Sequence, residues 1–174
     1  MIFKQLVFLF LLAIGSNSYG QCKFKIDRVT KKGDTIISAK DIIIYWDAGG
    51  SYSLTFKKNN SDYFIAFKKA YNSKEDMKVG ENMTLTLTNS TGKNVTLVSQ
   101  EEYSTNYLYS AGESSVIIAK YPIDKSKLKK LSEYSIKECS FQTAKKTWTF
   151  SPKNKKKIIK IQEGATCIRN RWKY

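Results

Sequence analysis

Histidine is absent from all 174 residues. Its absence excludes a Ser-His-Asp or Cys-His nucleophile system and removes the commonest zinc ligand and the usual proton shuttle near neutral pH. Proline occurs only twice, and together with 41% apolar residues this excludes collagen-like, proline-rich and disordered chains. The three cysteines are scattered without a CxxC spacing, so a thiolate metal site has no framework. Neither GxGxxG nor GxxxxGK[ST] occurs, which leaves nucleotide binding without an anchor. Carboxylates are also few. Asp47 and the pairs Glu75-Asp76 and Glu101-Glu102 have no EF-hand spacing and read as solvated turn residues. No cofactor and no metal is expected.

What is present begins with a targeting segment. Lys4 supplies a positive start, Leu6 to Ile14 is an unbroken apolar run, and Gly15 to Gly20 is small and polar. Nine apolar residues are too few to cross a hydrocarbon core, which takes about 20 helical residues. The pattern predicts a secretory signal over 1–20, cleaved after Gly20. Gln21 before Cys22 does not match a lipobox, so lipidation is not expected. No later apolar run reaches membrane-spanning length, so the mature chain, Gln21 to Tyr174, should carry no transmembrane segment and be secreted or periplasmic. Its 154 residues suffice for a single domain that buries roughly 70% of its unfolded surface.

An oxidising compartment permits one disulfide among Cys22, Cys139 and Cys167, with three possible pairings. Cys22 with Cys167 is favoured, because it closes the longest loop and ties down both ends. Cys139 then remains as a buried strand thiol, with no histidine to activate it.

The charge is unevenly spread. The whole chain carries 30 Lys plus Arg against 15 Asp plus Glu. Residues 21–119 hold 13 basic and 11 acidic side chains, whereas residues 120–174 hold 16 and 4. Such asymmetry is the footprint either of an anionic partner or of a solvated lysine-rich face. Lys125, Lys129, Lys130, Lys155, Lys156, Lys157, Lys160, Arg169 and Arg171 are the candidate anion-binding residues.

Most of the mature chain alternates with period two. Lys23 to Val29 predicts a strand with Phe24, Ile26 and Val29 facing a core. Asp41 to Trp46 is a continuous apolar run that predicts a strand buried on both faces. Tyr52 to Phe56 and Tyr63 to Phe67 flank an Asn-rich turn. Met83 to Thr88 and Asn94 to Val98 form a hairpin around Asn89 to Lys93. Val116 to Ala119 predicts a further buried strand, and Ile136 to Phe141 and Thr147 to Phe150 add two more. Leu128 and Leu131, with Asp124 as cap, predict a short helix over 124–134. Ile158, Ile161, Ala165 and Ile168 predict a C-terminal helix starting near Ser151-Pro152, weakened at Gly164. The expected fold is mainly β: an antiparallel β-sandwich of about nine strands with one short internal helix and a C-terminal helix.

This order of leader, early cysteine, Gly-turn hairpins, Ser/Lys/Leu helix and late cysteine resembles small uncharacterised secreted β-sandwich proteins of Gram-negative bacteria. The resemblance implies compartment and fold, and brings no activity or site residues with it.

Function is read from what remains. Tyr103, Tyr107 and Tyr109 lie in a polar segment and could stack on sugars or side chains, or fill cross-strand positions. Asn59, Asn82, Asn89 and Asn94 begin Asn-x-Ser/Thr sequons, and Asp34-Thr35-Ile36 resembles a bacterial O-glycosylation motif. The expected function is a non-enzymatic binding module for an unknown protein or an anionic glycan, without specific nucleic-acid recognition. One alternative is electrostatic binding of anionic polysaccharide or membrane surface through the basic third. The other is a carboxylate-dependent hydrolase using residues such as Glu101 and Glu102.

Overall fold

A computed structural model describes residues 22–108 and 114–171. The expected leader, Met1 to Gly20, and Tyr109 lie outside the described residues. Strands dominate and every pairing among the described residues is antiparallel. The larger sheet runs β1 (Phe24–Val29), β2 (Thr35–Ala39), β4 (Gly50–Asn59), β5 (Asp62–Tyr71), β11 (Ser114–Pro122) and β10 (Asn106–Leu108), and β3 (Ile42–Asp47) also pairs with β4. The smaller sheet runs β13 (Thr147–Phe150), β12 (Ile136–Gln142), β7 (Thr84–Asn89) and β8 (Asn94–Val98). A two-stranded ribbon joins β6 (Lys78–Val79) to β9 (Tyr103–Ser104). The helices are α1 (Lys125–Glu133) and α2 (Lys155–Asn170). The mainly β architecture with one internal and one C-terminal helix is the expected one.

Alternation on β4 and β5 builds the core. Leu54 pairs with Phe67 and Phe56 with Ile65, and all four are fully buried. From the smaller sheet, Phe141 meets Phe67 at 4.3 Å between ring centroids, and Phe150 meets Tyr52 at 4.4 Å. The two sheets therefore face each other across one aromatic layer, where each offset ring pair contributes about 1 kcal/mol beyond its buried area. Gly50 admits the close approach of β4 and β5 at one end. Its φ is +146°, and a Cβ there would lie 1.9 Å from the Ala70 carbonyl oxygen.

The rest of the inner face of the larger sheet is covered by α2, which contacts β2, β3 and β4 and packs on α1. Gly164 is the docking point: an added Cβ would lie 2.8 Å from Phe56 Cδ2 and 2.9 Å from Ile42 Cδ1. The residue that lowers helix propensity thus lets the helix reach the sheet. The helix begins at Lys155 and not near Ser151, because the Asn154 side chain accepts from the Lys157 backbone N–H at 3.0 Å. On α1 the Asp124 carboxylate caps as expected, accepting from Lys127 N–H at 2.7 Å.

Three buried-strand expectations are corrected. Trp46 is 63% exposed and Ile43 is also exposed, because among the described residues β3 pairs only with β4 and lies at the sheet edge. Val29 is 67% exposed and Ile26 is exposed. β1 is the outermost strand, and a register shift between Phe24 and Ile26 interrupts its alternation. Ile118 of β11 also faces outward. Apolar β-branched composition signals strand propensity, and does not by itself signal two covered faces.

Cys22 and Cys167 form the disulfide, with Cα atoms 5.5 Å apart. Beside it the Arg171 guanidinium pairs with Asp27 at 2.7 Å. Cys139 on β12 is a fully buried free thiol, and burial pushes its pKa up to about 12. No helix among the described residues is long and apolar enough to cross a membrane.

Candidate functional site

An open hollow lies where the β4–β5 turn, the segment before β9 and the start of α1 converge. This groove, of about 800 Å³, is lined by Tyr63, Phe64, Glu101, Tyr103, Lys120 and Asp124, among others. The tight turn at Asn60, with φ +52°, sets one wall. Its side chain accepts from Thr35 N–H at 2.8 Å and donates to Asp34 at 2.9 Å. The Tyr103 hydroxyl donates to Glu101 Oε2 at 3.1 Å and lies 3.5 Å from the Lys120 carbonyl oxygen. Burial, followed by the Glu101 carboxylate, pushes the Tyr103 pKa up, so its phenol stays a donor at physiological pH. Lys127 reaches the Thr96 carbonyl at 3.1 Å and stands 4.0 Å from Asp124. The groove thus offers the rings of Phe64 and Tyr103 with donors and acceptors around them, over a floor that includes buried Tyr63.

Of the described tyrosines singled out by sequence, Tyr103 lines this groove. Tyr107 on β10 is exposed at a different strand, with the Lys74 ammonium 5.5 Å from its ring. Tyr109 lies outside the described residues.

The structure divides the basic set. Arg171 pairs with Asp27, and Arg169 donates to the Ser132 hydroxyl at 2.8 Å and faces Glu133 at 3.9 Å. Both arginines therefore hold elements together. Lys129 also faces Glu133, at 3.9 Å, and with Lys93 and Lys130 lines a hollow of about 340 Å³ between α1 and the β7–β8 turn. Lys125 is exposed at the start of α1, beside the groove. Lys155, Lys156 and Lys160 are exposed and Lys157 half-buried on the first turns of α2, about 14 to 21 Å along the helix from Arg169.

A cluster that sequence reasoning missed sits at the opposite end of the sandwich from the β4–β5 turn. Lys69 on β5 is 1% exposed. Its Nζ lies 2.9 Å from the ring centre of Trp148, 4.0 Å from that of Tyr71 and 4.7 Å from that of Tyr52. Among the described residues Nζ has no hydrogen-bond partner. Burial strips the ammonium of water and lowers its pKa to about 7, with Glu75 opposing and Lys146 adding to the fall. Tyr71 donates to Met77 Sδ at 2.8 Å, and burial with nearby Glu75 pushes its pKa far up. Burial, then Asp47, pushes Tyr52 up to about 12. Outside Trp148 is a hollow of about 380 Å³ lined by Glu75, Met77, Thr143, Lys145 and Lys146. The Lys146 ammonium also lies over the indole, at 3.6 Å. The available signal was the phase of β5: period two carried past Phe67 places Lys69 on the same face as Phe67 and Tyr71.

Among the described residues no three His, Cys, Asp or Glu side chains stand together as a metal-binding group. Compared with protein-family models, with curated proteins and with solved structures, the chain matches none of them.

Proposed function

We propose that the chain is exported after cleavage at Gly20 and acts as a non-enzymatic binding module, taking a glycan in the groove at Tyr103. The observation that supports this reading is the joint placement of Tyr63, Phe64 and Tyr103 with Glu101, Asp124, Lys120 and Lys127 around one open hollow. Sugar rings present apolar C–H faces to aromatics and hydroxyls to carboxylates and ammonium groups, and this groove supplies both. Lys120, Lys125 and Lys127 are matched by Asp62, Glu101 and Asp124, so the lining favours neither sign of ligand. Calorimetric titration with neutral and uronic-acid oligosaccharides tests it. Tyr103→Ala should weaken binding about tenfold or more, the loss expected for one aromatic contact in a small site. Equal affinity for wild type and Tyr103→Ala would remove the groove from consideration.

A second reading rests on a separate observation. Lys93, Lys129 and Lys130 line the hollow beside α1, and Lys155, Lys156 and Lys160 are exposed on α2. These could hold anionic polysaccharide or a membrane surface without base- or shape-specific contacts. Such binding decays steeply with salt, since surface charges are screened over about 8 Å at physiological ionic strength. Groove binding would survive that salt.

A further inference from the structure

We propose that Lys69 is a carbonyl-capture site, an amine in an aromatic cage that condenses with a small aldehyde or ketone entering past Trp148. The cage is an expensive place for an amine. Nζ is buried without a hydrogen-bond partner among the described residues, and an unbranched apolar side chain of the same length would fill the space without desolvating a cation. The rings of Tyr52, Tyr71 and Trp148 take up none of the nitrogen lone pair. A lysine made neutral by desolvation is the form that adds to carbonyl carbon. With its pKa lowered to about 7, Lys69 is about half neutral at pH 7, against roughly 1 in 3,000 for a lysine of ordinary pKa.

Access is provided by Trp148. It sits on β13, a four-residue edge strand paired only with β12. Its side chain is half-buried, and its indole Nε1 has no hydrogen-bond partner among the described residues. The ring is held instead by an edge contact with Tyr71 and by the Lys69 and Lys146 ammonium groups on its faces. Trp148 also lines the outer hollow of about 380 Å³, which has room for an aldehyde of benzene-ring size. Lys74, Lys145 and Lys146 at its lip favour one that carries a carboxylate.

The condensation balances without an oxidant or reductant. The Nζ lone pair adds to the carbonyl carbon, the π pair moves to oxygen, and one proton passes from nitrogen to that oxygen. The resulting hydroxyl then leaves as water with the second amine proton, and a carbon–nitrogen double bond remains. Glu75, which lines the hollow and acts on both Lys69 and Tyr71, is placed to relay the protons. The charged and titratable groups facing the amine are Glu75, Lys146, Asp47, Tyr52 and Tyr71. With Trp148 closed, the rings shield the imine from hydrolysis.

The test uses 4-carboxybenzaldehyde with cyanoborohydride on the folded protein at pH 7, followed by peptide mapping. Lys69 should be alkylated about tenfold ahead of the exposed lysines, its neutral fraction outweighing the need to move Trp148. Its labelling relative to the surface lysines should be greatest near pH 7 and shrink toward pH 10, where those lysines become neutral as well. Lys69→Met should leave only slow labelling of surface lysines, and Trp148→Ala should speed labelling at Lys69. An unmodified Lys69 in wild type, while surface lysines react, overturns the proposal, whether or not Trp148→Ala folds. Because the groove at Tyr103 lies at the other end of the sandwich, glycan affinity reports on it independently.

Discussion

Replacing Lys69 with Met should stabilise the protein, and the gain should depend on pH in a direction fixed by the cage. Burial lowers the amine from 10.5 to about 7, which corresponds to about 5 kcal/mol at 1.36 kcal/mol per tenfold change. The Tyr52, Tyr71 and Trp148 ring faces within 5 Å of Nζ offset desolvation only as far as that lowered pKa allows, so this is the net cost of holding the cation. The sign follows from proton counts. Below pH 7 both folded and unfolded states bind the proton, so the full cost is present. Between 7 and 10.5 the unfolded chain binds it and the folded chain does not, so wild-type stability climbs toward that of the variant. Methionine keeps the unbranched shape and makes sulfur–aromatic contacts of its own. Urea unfolding at pH 6 should show Lys69→Met about 5 kcal/mol more stable, less what the lost packing of the lysine stem costs, and at pH 10.5 the gain should have largely gone. A variant that is less stable than wild type by the same amount at both pH values would refute the reasoning, because it would leave the folded and unfolded chains binding the Lys69 proton alike.

Replacing Cys22 and Cys167 together by Ser opens a link between residues 145 apart. By the chain-entropy relation this should cost about 5 kcal/mol, read as a lower urea midpoint. Gly164→Ala should destabilise by about 2 kcal/mol despite better helix propensity, since its methyl would press on Phe56 and Ile42; a thermal melt checks this. Converting Lys155, Lys156 and Lys157 to Glu should weaken retention on heparin at low salt. Their place on the first turn of α2, where no acidic residue sits, means Tm should hold or rise slightly, because carboxylates suit a helix N-terminus. Cys139 should resist iodoacetamide at pH 8 in the folded protein, since burial holds its thiol protonated, and mass spectrometry reads the result.

Local signals carried most of the architecture. The Asn89 to Lys93 turn was legible because the Asn89 side chain closes it, accepting from Thr91 N–H at 3.0 Å and from Lys93 N–H at 2.9 Å. Asp124 was legible as a cap, and the spacing of Ile161, Ala165 and Ile168 gave the buried stripe of α2. Pairing of Cys22 with Cys167 followed from end-joining alone. Less legible was which apolar strands lie at an edge: Ile43 and Trp46 read as doubly buried because composition does not reveal a missing neighbour. The caged lysine escaped for a different reason. Lys68-Lys69 looks like the polar end of a strand, yet β5 continues to Tyr71, and the ring that closes the cage comes from β13. The groove likewise needs Tyr63, Tyr103 and Asp124 from three distant segments, so only the assembled fold brings them together.

The bond between Cys22 and Cys167 also changes the topology of the polypeptide. Every described strand, every described hairpin turn and most of α2 fall inside one covalent ring. A protease that cuts any exposed turn within it, such as that at Asn60, would linearise the ring without releasing a fragment, and the nick would show on a denaturing gel only after reduction. Nor can the ring unravel from its ends, since β1 and the last turns of α2 are anchored to each other by the bridge and by Arg171 with Asp27. Opening must begin at an interior turn. New termini placed at the β4–β5 turn, with residues near 22 and 167 fused through a short linker, should therefore give a permuted chain that folds to the same sandwich.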